Sequence, residues 1–261
     1  MNFYKTIFLT TAIAFSCNVL GQPSENKGFE VSKEAKHRDT GWGDTQSSTR
    51  MILKNKKGEE DIRNTVSKTL EVLDDGDKSL TIFQQPRDVK GTAFLSFSHA
   101  LTPDDQWMYL PSLKRVKRIS SRNKSGPFMG SEFSFEDLSS FELEKYTYNF
   151  VKEESCQLGS CFVVEQFPKD KTSGYTKRVV WIDTSEYRIG KIDFYDRKEQ
   201  LLKTLEFSDY KKYLDKFWRS HHQVMTNYQT GKSTVLELSD IKFSTGLLDK
   251  DFNKNALKRA R

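Results

Sequence analysis

From about residue 45 onward the chain alternates apolar and polar residues at every second position. The runs are broken by glycine, proline, asparagine and aspartate, the period of half-buried antiparallel strands. The clearest case is a hairpin: an outgoing strand at 45–55, a turn at Lys56-Lys57-Gly58-Glu59, and a return at 61–73. Thr49, Met51 and Leu53 share one face of the first strand, and Ile62, Val66, Leu70 and Val72 share one face of the second. Asp74-Asp75-Gly76-Asp77 then turns the chain into strands at 79–84 and 92–99. The second half predicts strands at 145–154, 162–168, 175–182, 188–196, 201–213, 218–228 and 233–242. Short connections pair consecutive strands antiparallel, so about eleven strands form one large curved sheet.

Helical patterning is confined to the ends. Residues 29–38 predict a short amphipathic helix before the Gly41-Trp42-Gly43 turn, and the tail from 249 to 261 predicts another, with Phe252 and Leu257 free to pack inward. No internal repeat, linker or domain boundary interrupts the pattern, so residues 22–261 are expected to be one domain.

The first twenty-one residues differ. Lys5 precedes an apolar stretch from Ile7 to Phe15 and a small-residue end at Val19-Leu20-Gly21, which is the pattern of a cleaved secretory signal. The stretch is shorter than the roughly 20 apolar residues a membrane span needs. Cys17 raises the alternative of a lipid anchor, but bulky Phe15 stands where a lipidation motif wants a small residue. A soluble periplasmic protein is therefore expected. Cys156 and Cys161 flank Gly159 in a Cys-Gln-Leu-Gly-Ser-Cys run. In an exported protein this predicts a hairpin tip closed by a disulfide, and no neighbouring Cys or His pair completes a metal set.

The densest information lies between Ile82 and Leu138. It includes Asp88-Val89-Lys90-Gly91-Thr92-Ala93-Phe94, Asp105-Gln106-Trp107-Met108-Tyr109-Leu110-Pro111 and Lys114-Arg115-Val116-Lys117-Arg118-Ile119. Gly126-Pro127-Phe128-Met129-Gly130-Ser131 and Phe133-Ser134-Phe135-Glu136-Asp137-Leu138 follow. With the Gly41-Trp42 turn and the Met51-Ile52-Leu53-Lys54-Asn55 hairpin, these blocks resemble a divergent branch of the LolA-like periplasmic lipoprotein-sorting family. The resemblance covers nearly the whole mature chain.

That resemblance implies an incomplete β-barrel: a mainly β, antiparallel sheet curled around a hydrophobic cavity, with a few short helices as a lid. It implies a carrier that shields acyl chains of lipoproteins or lipids and delivers them toward the outer membrane. An inner-membrane transporter and an outer-membrane acceptor would be its partners. Shielding is worth about 0.8 kcal/mol per buried CH₂, so a fatty chain demands a deep apolar concavity. The expected lining, taken from one face of successive strands, is Met51, Leu53, Val66, Leu70, Leu95, Phe97, Trp107 and Tyr109. Phe128, Met129, Phe133 and Phe135 would form a lid, the first pair flanked by Gly126 and Gly130. The same alternation also serves an ordinary filled core.

Lys114, Arg115, Lys117 and Arg118 make the strongest basic cluster. It reads either as a solvated strand face or as a docking surface for an anionic lipid headgroup, a leaflet or an acidic partner. A net charge of +6 over 261 residues and export together argue against nucleic acid. The four histidines, His37, His99, His221 and His222, form no evident catalytic set. No nucleophile elbow, zinc motif or phosphate loop is present, so neither enzyme chemistry nor a cofactor is expected. The second functional reading is an accessory subunit of an envelope transporter, whose inner face would be filled by its own side chains.

Overall fold

The structure, a computed structural model, describes residues 23–259; the expected signal segment and Cys17 lie outside the described residues. The first strands are β1 (Asp44–Lys54), β2 (Glu60–Leu70), β3 (Lys78–Gln85), β4 (Ala93–Phe97), β5 (Asp105–Leu110) and β6 (Arg115–Ile119). Then come β7 (Tyr146–Cys156), β8 (Gly159–Pro168), β9 (Lys177–Asp183), β10 (Ile189–Tyr195), β11 (Leu201–Tyr213), β12 (Phe217–Asn227) and β13 (Lys232–Phe243). They form one antiparallel sheet in the order β6-β5-β4-β3-β2-β1-β13-β12-β11-β10-β9-β8-β7. The expected curved antiparallel sheet is present, with two strands more than the pattern predicts. Both come from residues 105–119, where four basic side chains within five positions mask the alternation of β6.

Strands adjacent in sequence are adjacent in space with one exception. β6 and β7 follow one another in the chain but stand at opposite edges of the sheet, so the barrel is open. The connection between them, residues 120–145, crosses the sheet from one edge to the other.

Period-2 geometry gives the sheet two distinct faces. On the face beneath the crossover, here the inner face, the register runs Val164, Val180, Ile192, Leu205, Met225, Thr234, Leu53 from β8 to β1 without a break. Met51, Phe83, Phe94 and Met108 extend the same surface to β5. Leu80, Ile82, Leu95 and Trp107 belong to the outer face and pack against Phe252 and Leu257. Leu257 lies on the C-terminal helix α2 (Lys254–Arg259). The tail thus packs as expected, though only part of it is helical.

The N-terminal helix α1 (Pro23–Arg38) lies on β7. It starts six residues before the apolar pattern does. Pro23 opens it and Glu25 sits in its first turn, both favourable to a helix start and both silent in an apolar periodicity. Helix and strand approach so closely that a Cβ on Gly28 would lie 2.8 Å from the Phe150 nitrogen. The β7–β8 hairpin turns through Gly159 at φ 111°. It is closed by the Cys156–Cys161 disulfide, with the Cα atoms 5.9 Å apart, as the spacing predicts.

Candidate functional site: the strapped inner face

The crossover is a strap lying on the inner face. Its central part doubles back on itself: the Phe128 amide donates to the Phe133 carbonyl at 2.7 Å, and the Phe135 amide donates to the Gly126 carbonyl at 3.2 Å. Met129 and Gly130, at φ 50° and 76°, make the tip, and the glycine suits a left-handed position next to another one. Phe128 is buried, its ring centroid 5.8 Å from Phe83, 5.2 Å from Phe94 and 5.7 Å from Phe135. Phe133 is buried in the neighbouring cluster with Val164, Val180, Phe194 and Met225.

Polar contacts fix the strap to the sheet. Lys203 on β11 donates from Nζ to the Glu132 carbonyl at 2.8 Å and to Asp137 Oδ2 at 2.7 Å. The other Asp137 oxygen accepts the Tyr175 hydroxyl at 2.8 Å. Burial, with the Asp137 carboxylate next, raises the Tyr175 pKa well above its ordinary value, so this phenol remains a donor. Asn227 donates to Glu132 Oε2 at 2.7 Å, and the Glu132 amide donates to Thr234 Oγ1 at 3.0 Å. At the far side Gln106 Nε2 donates to the Phe135 carbonyl at 2.9 Å, and Arg63 donates to the Met129 carbonyl near the tip. The Glu136 carboxyl, held by Ser173 and the Gly174 amide at 2.9 Å, is shifted upward by burial and by neighbouring Asp137.

An opening of about 330 Å³ remains where the strap tip meets β1, β2 and β13. Leu53 is the apolar side chain at its wall; Lys54, Glu60, Asp61, Glu132 and Lys232 make the rest polar. It falls at the low end of ligand-pocket sizes. The inner apolar surface itself is covered by the strap.

The expected lining residues do not share one face. Met51, Leu53, Phe128, Met129 and Phe135 gather on the inner side, and Phe133 joins the adjacent inner cluster. Val66, Leu70, Leu95, Phe97, Trp107 and Tyr109 lie on the outer face, under Phe252 and Leu257. The common-face reading is thus corrected, for a physical reason: alternation fixes which residues of one strand are co-facial but leaves the phase between strands open. Polar residues also disguised the inner side of β4 and β5. Ser96 and Gln106 alternate there with Phe94 and Met108 because they serve the strap, with Gln106 Nε2 3.3 Å from the Ser96 hydroxyl. Phe83, Phe94, Met108 and the Lys203–Asp137 anchor escape a reading by alternation; the available signal was the equal parity of Lys203, Leu205 and Phe207 on β11.

The basic cluster divides as well. Across the β5–β6 register, Lys117 faces Met108 and Arg118 faces Trp107, so Arg115 and Lys117 sit on the inner side and Val116 and Arg118 on the outer. Arg118 is paired with Asp105. The histidines are engaged separately: His221 between the Tyr213 hydroxyl and the Leu238 carbonyl, both at 2.8 Å, and His99 with Asp75 at 2.6 Å. Among the described residues no group of three His, Cys, Asp or Glu side chains is disposed to hold a metal, and no helix is long and apolar enough to cross a membrane.

The fold is shared with known proteins. A family model described as "Uncharacterized protein" matches residues 75–259, and no curated protein matches the chain. A crystal structure from Vibrio parahaemolyticus, named for an outer membrane lipoprotein-sorting protein domain, is 62% identical over 90% of this chain and 100% of that one, with a TM-score of 0.89. A DUF1329 family protein from Desulfovibrio piger is 29% identical over 90% and 99% of the two chains, with a TM-score of 0.85. A LolA superfamily protein from Nitrosomonas europaea shares the fold at 22% identity and a TM-score of 0.70, over 87% and 97%. Sequence identity of that extent, on the open sheet described above, places the chain as a member of the LolA-like outer-membrane lipoprotein-sorting family, in its divergent DUF1329 branch.

Proposed function

We propose that the protein is a periplasmic carrier that takes acyl chains of a lipoprotein or lipid onto the inner face when the strap lifts, and passes them toward the outer membrane. One observation carries this reading: the apolar inner face is roofed by an irregular segment, with helix α1 over its β7–β8 edge, rather than by a second sheet. Such a roof can leave without unpairing a strand. The energies are comparable. Exposing Phe128 and Phe133 costs about 1.5–3 kcal/mol each and the half-buried Met129 and Phe135 less, while an acyl chain of roughly sixteen carbons gains about 13 kcal/mol at about 0.8 per CH₂. Acyl chain and strap would exchange places. The reading requires no covalent chemistry.

Native mass spectrometry of the mature protein from the periplasm, followed by extraction of bound lipid, tests it. Co-purifying acylated species that are lost on Phe94→Asp or Met108→Asp support the carrier. A second reading is favoured by the filled inner face: an accessory subunit of an envelope transporter, with the strap as permanent core. If neither the native chain nor a Phe128→Ser variant takes up added fatty acid or lipopeptide, the carrier reading fails and the accessory reading stands.

A further inference from the structure

Three neighbouring turns at one end of the sheet carry positive charge that the fold leaves unneutralised. The β1–β2 turn presents Lys56 and Lys57, the β3–β4 turn Arg87 and Lys90, and the β5–β6 turn Lys114, with Arg115 opening β6. All six are exposed, and none makes an ion pair or side-chain hydrogen bond among the described residues. Lys117, next along the edge strand, is exposed and unpaired as well. Nearby carboxylates are already engaged: Glu60 with Lys54 at 2.8 Å, Asp61 with Arg63 at 3.0 Å. Asp88 and Glu59, the latter accepting from the Asn55 side-chain amide at 2.6 Å, offset two charges. The turns at the opposite end of the same strands, β2–β3 and β4–β5, hold Asp74, Asp75 and Asp104. Asp75 is paired with His99 and Asp104 with Lys145 there, so the surplus charge of this half of the sheet lies at the basic turns.

A second observation falls at the same end. Leu113 stands beside Lys114 in the β5–β6 turn with 61% of its surface exposed, and Lys114 holds a left-handed φ of 49° that turns the chain there. The opening by the strap tip, walled by Leu53, Lys54 and Glu60, is at this end too.

We propose that the three turns dock the protein on an anionic phospholipid surface, with Leu113 entering the headgroup layer and the mouth of the inner face turned to the lipid. The purpose of this docking rests on the carrier reading; the charges and the leucine do not. The basic side chains are spread over three hairpin tips and form no socket. A laterally mobile array of headgroups satisfies such a field better than the fixed carboxylates of a protein partner. An apolar side chain among cations is the pattern of an interfacial contact.

Sedimentation with vesicles of phosphatidylglycerol and phosphatidylethanolamine, against pure phosphatidylcholine, tests the inference. The mature protein is expected to bind the anionic vesicles at about 50 mM salt and to be released at about 0.5 M, as screening shortens the reach of the charges. Each charge removed should weaken binding about fivefold, so Lys114→Gln/Arg115→Gln/Lys117→Gln should lose on the order of a hundredfold. Arg118→Gln, whose guanidinium is already paired, should change little. A fluorophore on Leu113→Cys should move to a less polar environment on anionic vesicles only. Equal binding to neutral vesicles, no vesicle binding, or indifference to the triple substitution overturns the proposal. No vesicle binding at all would point the turns to an acidic protein instead. Uptake of a fluorescent fatty acid in vesicle-free solution is followed in parallel. Its loss with docking intact removes the carrier reading alone, and its persistence without docking removes this inference alone.

Discussion

Lys203 Nζ lies 2.7 Å from Asp137 Oδ2 with 4% and 3% of the two side chains exposed, and this buried pair ties the strap to the centre of the sheet. Removing one partner of a buried pair leaves the other charged and dry, at a cost of about 3–5 kcal/mol. Lys203→Met and Asp137→Asn are each expected to lower stability on that scale in urea denaturation. Lys203→Met/Asp137→Leu should cost less than the sum of the two, though the Tyr175 hydroxyl and the Ser134 amide also lose their acceptor. Additive losses would mean the two groups are not coupled.

Asp77 sets a pH dependence at the other end of the strap. Burial, reinforced by Glu142 against the Val72 amide, raises its carboxyl from 3.8 to about 6. The folded state therefore holds the proton more tightly than the unfolded one, so stability falls as pH climbs from near 4 through 6 and is then constant on this account. Asp77→Asn keeps an oxygen for the Val72 amide and removes the charge. It is expected to raise stability by about 1–3 kcal/mol at pH 7.5 and by no more than about 0.5 kcal/mol at pH 4. Equal shifts in melting temperature at both pH values would refute this.

The disulfide closes a loop only five residues apart in sequence, so its effect on the unfolded chain is small. The loop-entropy relation gives about 2 kcal/mol. Cys156→Ser/Cys161→Ser should fold at room temperature and lose about that amount, with exchange of the β7–β8 tip amides faster than in the native chain. Failure to fold would assign the bridge a larger role than its loop length allows.

Sequence alternation was enough for eleven of the thirteen strands because a half-buried strand shows its period whatever it pairs with. β11 (Leu201–Tyr213) matches its expected bounds residue for residue, and Cys156–Cys161 follows from spacing and a glycine. The partition of faces was beyond it. Leu95 and Phe94 are neighbours of similar hydropathy, and nothing in their own strand says which meets the strap and which meets α2. Both are fully buried because this sheet is covered on each side, by the crossover and by the C-terminal tail. A polar residue at an inner position, such as Gln106 or Lys203, looks solvated in sequence and is a strap anchor in space.

That two-sided burial allows the strap to be tested apart from the sheet. Phe128 and Leu257 are both buried, the first in the strap on the inner face and the second in α2 on the outer. Truncating either removes a comparable apolar volume, at about 3–5 kcal/mol for phenylalanine and about 2–5 for leucine. The consequences should differ in place. Phe128→Ala is expected to speed hydrogen exchange across residues 126–135, leave the amides of β8 to β12 protected, and increase uptake of an apolar probe. Leu257→Ala should loosen the tail and the outer side of β4 and β5, with strap exchange and probe uptake unchanged. If Phe128→Ala instead lowers protection uniformly, the strap unfolds only with the sheet and the inner face does not open on its own.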